Sequence, residues 1–260
     1  MKRIAVFAIA GLVLSAPAFS ATVAYYRFET GPAGATASSI VDSSGNGNTG
    51  TIFAGAPKYN SSVPVNPIPA TGAANLFSLS LGTADAASFA YAFPFNSLAN
   101  VTLEFWVRPT AIGSEGDIFW TRTDAVDSNR FNMRITPAGG FGVDYRTPTG
   151  TLHTLINGGT VTAGQWSFIA LVKSGNNYTA YVNGTPLTGV DSSPSLPNNT
   201  GWTINGRGIA CCQFSGLIDE VRLSDQALSP SQFLNAVPEP GTLLLFLTGL
   251  AALISIRRRD

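Results

Sequence analysis

The 260-residue sequence predicts an all-β fold, an antiparallel sandwich of two sheets, and three observations carry that expectation. Short runs alternate apolar and polar residues at the period of two that turns one strand face inward. Turn formers separate the runs, and 27 Gly and 16 Pro supply them throughout the chain. No long stretch repeats at the helical period, so helix is scarce. The length suits one sandwich of about 200 residues better than two small domains.

Residues 1–20 open with Lys2 and Arg3, continue through an apolar run from Ile4 to Leu14 and reach Ala18, Phe19 and Ser20. That is the layout of a secretory signal peptide cleaved after Ser20, too short in its apolar part to span a membrane. The body is then 21–236. Its first strand alternates Ala24, Tyr26 and Phe28 against Tyr25, Arg27 and Glu29. In the loop that follows, Asp42, Ser44, Asn46 and Gly47 fall at positions one, three, five and six of a calcium loop. The twelfth position is Phe53 rather than Glu, so the missing carboxylate has to come from elsewhere. Asp219 is the candidate, giving a calcium set of Asp42, Ser44, Asn46 and Asp219. The competing reading is that Asp42 and Asn46 make Asx turns.

Residues 56–74 read as a surface loop without a strand, and 76–81 as a half-buried strand. From Val101 to Val107, Val101, Leu103, Phe105 and Val107 share one face and Thr102, Glu104, Trp106 and Arg108 the other. A Trp flanked by Glu and Arg on an outer sheet face is a platform for a sugar ring, unless a loop covers it. Four segments follow between Asp117 and Leu155, at 118–121, 131–135, 141–146 and 151–155, separated by turns, as in an antiparallel meander. Arg134, Asp144, Tyr145, Arg146 and His153 extend the predicted platform, whose core is Trp106, Arg108 and Tyr145. Trp166 to Lys173 is apolar at both parities, as in a central strand covered on two sides. Asn183-Gly184 then marks a tight type I′ hairpin.

The closing run is FSGLIDEVRLSDQALSPSQFL, from Phe214 to Leu234. Simple alternation puts Leu217, Asp219, Val221 and Leu223 on one face, so Asp219 needs a buried partner. Ser229, Pro230 and Gln232 predict a short closing helix with a capping box. The adjacent Cys211 and Cys212 cannot staple distant strands to each other.

Several of these segments resemble the LamG-like jelly-roll family of the concanavalin A-like lectin and glucanase fold. They are YRFE at Tyr26, DSSGNGNTG at Asp42, VTLEFWVRPT at Val101, WSFIALVKSGNNYTAYVNG at Trp166 and the IDEVRLSDQALSPSQF string. The resemblance covers 22–235 and implies that the first strand pairs near the closing one. It also tilts the Asp42 loop towards calcium. Residues 237–260 carry Pro238-Glu239-Pro240, an apolar run from Leu243 to Ile256 that predicts a separate helix, and the cluster Arg257, Arg258, Arg259. This tail resembles the PEP-CTERM sorting signal of exopolysaccharide-producing Gram-negative bacteria. The resemblance implies export through the inner membrane, a transient C-terminal membrane anchor with the arginines cytoplasmic, and processing by an exosortase-like sorting protease. Cell surface or extracellular matrix is the destination it implies.

Setting aside Lys2, Arg3, Arg257, Arg258, Arg259, Glu239 and Asp260 leaves 10 basic and 13 acidic residues, a balance that argues against nucleic acid. Catalysis is not expected. Asp219 and Glu220 are neighbours facing opposite sides of an ideal strand, and glycoside hydrolysis needs two carboxylates facing one substrate. Two readings are open: a non-catalytic module contacting glycan or extracellular polysaccharide, and an adhesive surface protein with a protein partner. A glycan-active enzyme is a distant third.

Overall fold

Backbone hydrogen bonding decides which of the alternating runs become neighbours, and it sorts them into two antiparallel eight-stranded sheets. The structure is a computed structural model describing residues 22–88, 98–122, 130–190, 202–205 and 212–237. The predicted signal at 1–20, Cys211 and the sorting residues Pro238, Glu239, Pro240, Arg257, Arg258 and Arg259 lie outside them. So does the predicted apolar tail helix.

The chain forms β1 (Thr22–Tyr26), β2 (Ser39–Ile40), β3 (Gly50–Ala54), β4 (Lys58–Asn60) and β5 (Ser78–Leu81). It continues through β6 (Ala86–Ser88), β7 (Asn100–Pro109), β8 (Gly116–Arg122), β9 (Arg130–Ile135) and β10 (Phe141–Arg146). The last six strands are β11 (Leu152–Gly158), β12 (Ser167–Ser174), β13 (Asn177–Val182), β14 (Thr185–Val190), β15 (Trp202–Ile204) and β16 (Gly216–Ser224). The first sheet runs β14-β13-β12-β7-β16-β5-β4, and the second β11-β10-β9-β8-β15-β6-β3-β2. β1 completes the first sheet by pairing with the second half of β16, Tyr26 opposite Val221 and Ala24 opposite Leu223. First and closing strands are therefore neighbours, as the family resemblance implied.

Between the sheets lies one apolar core. β7 contributes Val101, Leu103, Phe105 and Val107, and β9 contributes Phe131, Met133 and Ile135, the inward parity of each strand. Phe105 meets Phe119 edge-on with ring centroids 4.9 Å apart. The meander β8-β9-β10-β11 forms in the predicted order. Asn183 and Gly184 sit at φ of 51° and 85°, which is why this dipeptide closes the β13-β14 hairpin.

Two expectations need correction. The stretch 56–74 is not a bare loop. It carries β4, and beyond it Ile68 is fully buried on the outside of the first sheet. The closing helix shrinks to a single 3-10 turn at Pro230–Gln232, with the Ser229 N–H donating to Gln232 Oε1 at 2.9 Å. It goes no further because Phe233 and Leu234 are drawn down onto the sheet. No helix among the described residues is long and apolar enough to cross a membrane.

Candidate functional site

The outward parity of β7 is where the sequence places a ligand platform, and the fold uses it for another purpose. Trp106 is 5% exposed, in an apolar cluster with Ile68, Phe168, Leu228, Phe233 and Leu234. Its ring meets Phe168 edge-on at 4.7 Å, and Phe233 lies 5.9 Å beyond Phe168. Polar residues of the same face hold the covering segment in place. Thr102 Oγ1 donates to the Gln226 carbonyl at 2.7 Å and accepts from the Leu228 N–H at 2.9 Å. Glu104 accepts from Arg222 Nε at 2.5 Å and from the Leu234 N–H at 2.7 Å, while Arg222 Nη2 donates to the Gln232 carbonyl at 2.7 Å. Burial pushes the Glu104 carboxyl up to about 7, against the opposing pull of Arg222. Arg108 donates to the Gly164 carbonyl at 2.7 Å and to Ser62 Oγ at 2.9 Å. This face is roofed by residues 225–236 and by the loop bearing Ile68, so Trp106 and Arg108 are fastenings of the roof.

Asp219 does not point where simple alternation put it. A bulge between Asp219 and Arg222, with Glu220 at φ of 50°, resets the phase of β16. Ile218 and Val221 both face the core, and Asp219 pairs opposite Trp106 on the outer side. Its carboxylate accepts from Asn75 Nδ2 at 2.9 Å and from the Glu220 N–H at 2.9 Å. Burial raises its proton affinity well above the usual carboxylate range, with Glu220 adding to the rise. Glu220 itself is met by Arg27 at 3.0 Å and by the Tyr25 hydroxyl.

The Asp42 loop brings Asp42, Ser44 and Asn46 together as predicted, with the oxygens of Asp42 already serving protein donors. Asp42 Oδ1 accepts from the N–H groups of Tyr25 and Ser44, each at 2.9 Å. Its Oδ2 accepts from Ser44 Oγ at 2.9 Å and from the Asn48 N–H at 2.8 Å. These bonds hold the carboxyl below its usual range despite the opposing effect of burial. Asn46 Nδ2 donates to the Thr22 carbonyl at 2.8 Å. Asp219, bonded to Asn75 and the Glu220 N–H, shares no described hydrogen-bond partner with Asp42, Ser44 or Asn46.

The outer face of the second sheet is built differently. Across β8, β9 and β10, registered pairing sets Trp120 beside Asn132 and Asn132 beside Asp144, while Arg134 pairs with Asp117 and Gly142, and Arg146 with Arg130. The charges alternate along it. Arg134 ion-pairs with Asp144, its Nε stands 3.6 Å from Glu115, and Arg130 Nη1 lies 3.7 Å from Asp144 Oδ1. The Arg130 guanidinium sits over the Trp120 ring at 4.5 Å. Asn132 Nδ2 donates to Asp117 Oδ1 at 2.8 Å, and Arg146 Nη1 donates to the Gly150 carbonyl at 2.9 Å. The centre is withdrawn from solvent, whereas Arg134, Arg146 and Glu115 are half-exposed and Thr154, Leu152 and Phe53 exposed at the flanks. What such a face turns to solvent, among the described residues, is its partly exposed charges Glu115, Arg134 and Arg146, held from beneath by the buried Trp120, Arg130, Asn132 and Asp144.

Of the predicted platform, Arg134, Asp144 and Arg146 do share this face. Tyr145 does not; it is fully buried in the sandwich core, and His153 stacks on it at 4.7 Å. Trp120, Arg130 and Asn132 were missed. Their signal was present in β9, where Arg130, Asn132 and Arg134 alternate with Phe131, Met133 and Ile135.

A profile of the concanavalin A-like lectin/glucanases superfamily matches residues 81–233, and one of the PEP-CTERM protein-sorting motif matches residues 236–259. Domain 4 of AbnA, an extracellular arabinanase from Geobacillus stearothermophilus solved with arabinotriose, superposes with TM-score 0.59 at 19% identity, over 83% of this chain and 97% of that one. The binding domain of botulinum neurotoxin serotype G gives 0.59 at 13% identity, over 82% of this chain and 50% of that one. Trypanosoma rangeli sialidase gives 0.52 at 12% identity, over 82% of this chain and 32% of that one. These likenesses show the fold. No curated protein matches the sequence.

Proposed function

The chain belongs to the concanavalin A-like lectin/glucanases superfamily, and on that premise we propose that it is an exported, surface-displayed, non-catalytic module that binds glycan. The observation carrying this reading is the contrast between the two outer faces: one is sealed by an apolar roof, the other holds the Glu115–Arg134–Asp144–Arg130–Trp120 row. Rigid strands hold the partly exposed Glu115, Arg134 and Arg146 as ionised donors and acceptors, groups that hydroxyl-rich sugars can bond, on a buried base of Asp144, Arg130 and Trp120. The arabinotriose-bound arabinanase domain of like fold lends support by analogy alone. Sorting enters the reading through the C-terminal motif: an exosortase-like protease acts on the tail, which serves as membrane anchor before processing. The destination is the cell surface or extracellular matrix of a Gram-negative bacterium. Exposed Phe53 and Leu152, at 51% and 47%, flank the same face and favour a protein partner as the second reading.

The test is a glycan array probed with the full chain in mild detergent, alongside Arg134→Ala and Asp144→Asn. Calcium and chelator arms decide whether the Asp42 loop takes part. Binding by the native chain that both substitutions abolish is the expected result. Absence of binding, or binding indifferent to both, overturns the assignment.

A further inference from the structure

At one end of the second sheet, Glu115, Asp117 and Cys212 each place a ligand atom within 4.8 Å of the others. The two segments supplying them are stitched together by the backbone. The Asp117 N–H donates to the Cys212 carbonyl at 2.6 Å, and the Thr110 N–H donates to the Ser215 carbonyl at 2.9 Å. Asp117 also bridges in parallel to Gln213. Glu115 and Asp117, two residues apart at the start of β8, project to one side. Cys212 holds φ of 64°, a left-handed conformation that its context imposes.

Two carboxylates and a thiol this close gather a mixed set of sulfur and oxygen donors in one place. Arg134 stands at the rim, 3.6 Å from Glu115, and is shared with Asp144. A separate observation points into the same place. Asn132 is fully buried, and its amide nitrogen donates to Asp117 Oδ1 at 2.8 Å, which directs the side chain to the cluster. Its Oδ1, however, accepts no hydrogen bond. A buried carbonyl oxygen left without a donor is costly, and a metal ion beside it would remove that cost.

We propose that Glu115, Asp117 and Cys212, with Asn132 Oδ1 as the fourth donor, form a binding site for a divalent transition cation of the zinc class. The sulfur donor selects against calcium and magnesium, which take oxygen ligands in larger number or keep their water. Three or four mixed sulfur and oxygen donors suit a tetrahedral ion. Binding converts the Cys212 thiol to a metal thiolate and releases its proton to solvent. Glu115 and Arg134 belong to the glycan row as well, but a cobalt titration and a glycan array read the two sites independently.

The experiment titrates cobalt(II) into the full chain, held in mild detergent, stripped with chelator and kept reduced. Absorption from sulfur-to-cobalt charge transfer is the readout, with zinc as competitor. One cobalt per chain is expected, lost in Cys212→Ser and retained in Cys211→Ser. Glu115→Gln, at a half-exposed position, should weaken binding at least about tenfold, the lower end for disturbing even an outer partner of a metal site. Circular dichroism checks each variant for folding, and Glu115→Gln decides if Cys212→Ser fails to fold. No charge-transfer band, a band surviving Cys212→Ser, or one lost equally in Cys211→Ser overturns the proposal. Displacement by calcium as readily as by zinc does so too.

Discussion

Replacing Arg222 with methionine tests whether the roof over the first sheet is held by a buried charge pair. The Glu104 and Arg222 side chains are 0% and 3% exposed, so the figures for exposed ion pairs, about 0–1 kcal/mol, do not apply. Removing one partner of a buried pair strands the other charge and costs about 3–5 kcal/mol, or roughly 6–20 °C in a domain of this size. Arg222→Met leaves the Glu104 carboxylate with the Leu234 N–H and breaks the bond to the Gln232 carbonyl. Thermal unfolding of the full chain in mild detergent, followed by tryptophan emission, reads the loss; Trp106 and Trp166 both lie in the roofed cluster. Two internal checks follow. The double variant Glu104→Leu/Arg222→Met should recover most of the loss, because no charge is left unpaired. Repeating the measurement near pH 5 should shrink the cost of the single variant, because Glu104 then carries a proton. A loss under about 1 kcal/mol at neutral pH, or one that the double variant does not relieve, refutes the reasoning.

Stability should also fall as pH rises through neutrality. Burial lifts Glu104 to about 7, above its unfolded value near 4.3, so its contribution is complete below the lower value and lost as pH passes the higher one. Asp219 and Glu220 are shifted the same way. The melting temperature should therefore drop between about pH 4.5 and 7.5, and Glu104→Gln should flatten the slope; a rise over that range contradicts the assignment. Trp106→Ala should cost about 3–5 kcal/mol while leaving glycan binding intact, the reverse of Arg134→Ala, as thermal melts and the array together would show. Gly189→Ala should lower the melting temperature clearly. Its Cβ would lie 1.9 Å from the Leu155 carbonyl oxygen, where β14 closes against β11, and overpacking of this kind costs about 1–3 kcal/mol or more.

Local alternation was enough to read the strands of the meander, the two-sided burial of β12 and the inward set of β7, because each is a pattern within one segment. The Asn183-Gly184 turn was legible for the same reason. Asp219 was not. One extra residue in the β16 ladder exchanges its two faces, and period-two counting carries straight through a bulge. Nor could the fate of Trp106 be read locally, since its cover comes from Ile68 and Phe233, remote in sequence on either side. The polar row of the second sheet fell between these cases. Its alternation in β9 was visible, but the alignment of Trp120, Asn132 and Asp144 exists only once three strands pair in register.

Where the roof ends bears on what tail processing does to the fold. Leu234 is the last roof residue bonded to the sheet, through Glu104, and its carbonyl accepts from the Ala70 N–H at 3.2 Å. After it comes the Ala236 N–H bond to the Phe233 carbonyl, and the matched sorting motif begins at residue 236. A cut at or beyond Pro238 thus leaves every described contact of the roof in place. Chain ending at Val237 should melt within about 2 °C of the full chain, since each kcal/mol is worth about 2–4 °C at this size and no described contact is lost. A larger drop would mean that residues after Val237 belong to the folded body, and that sorting and stability share the same segment.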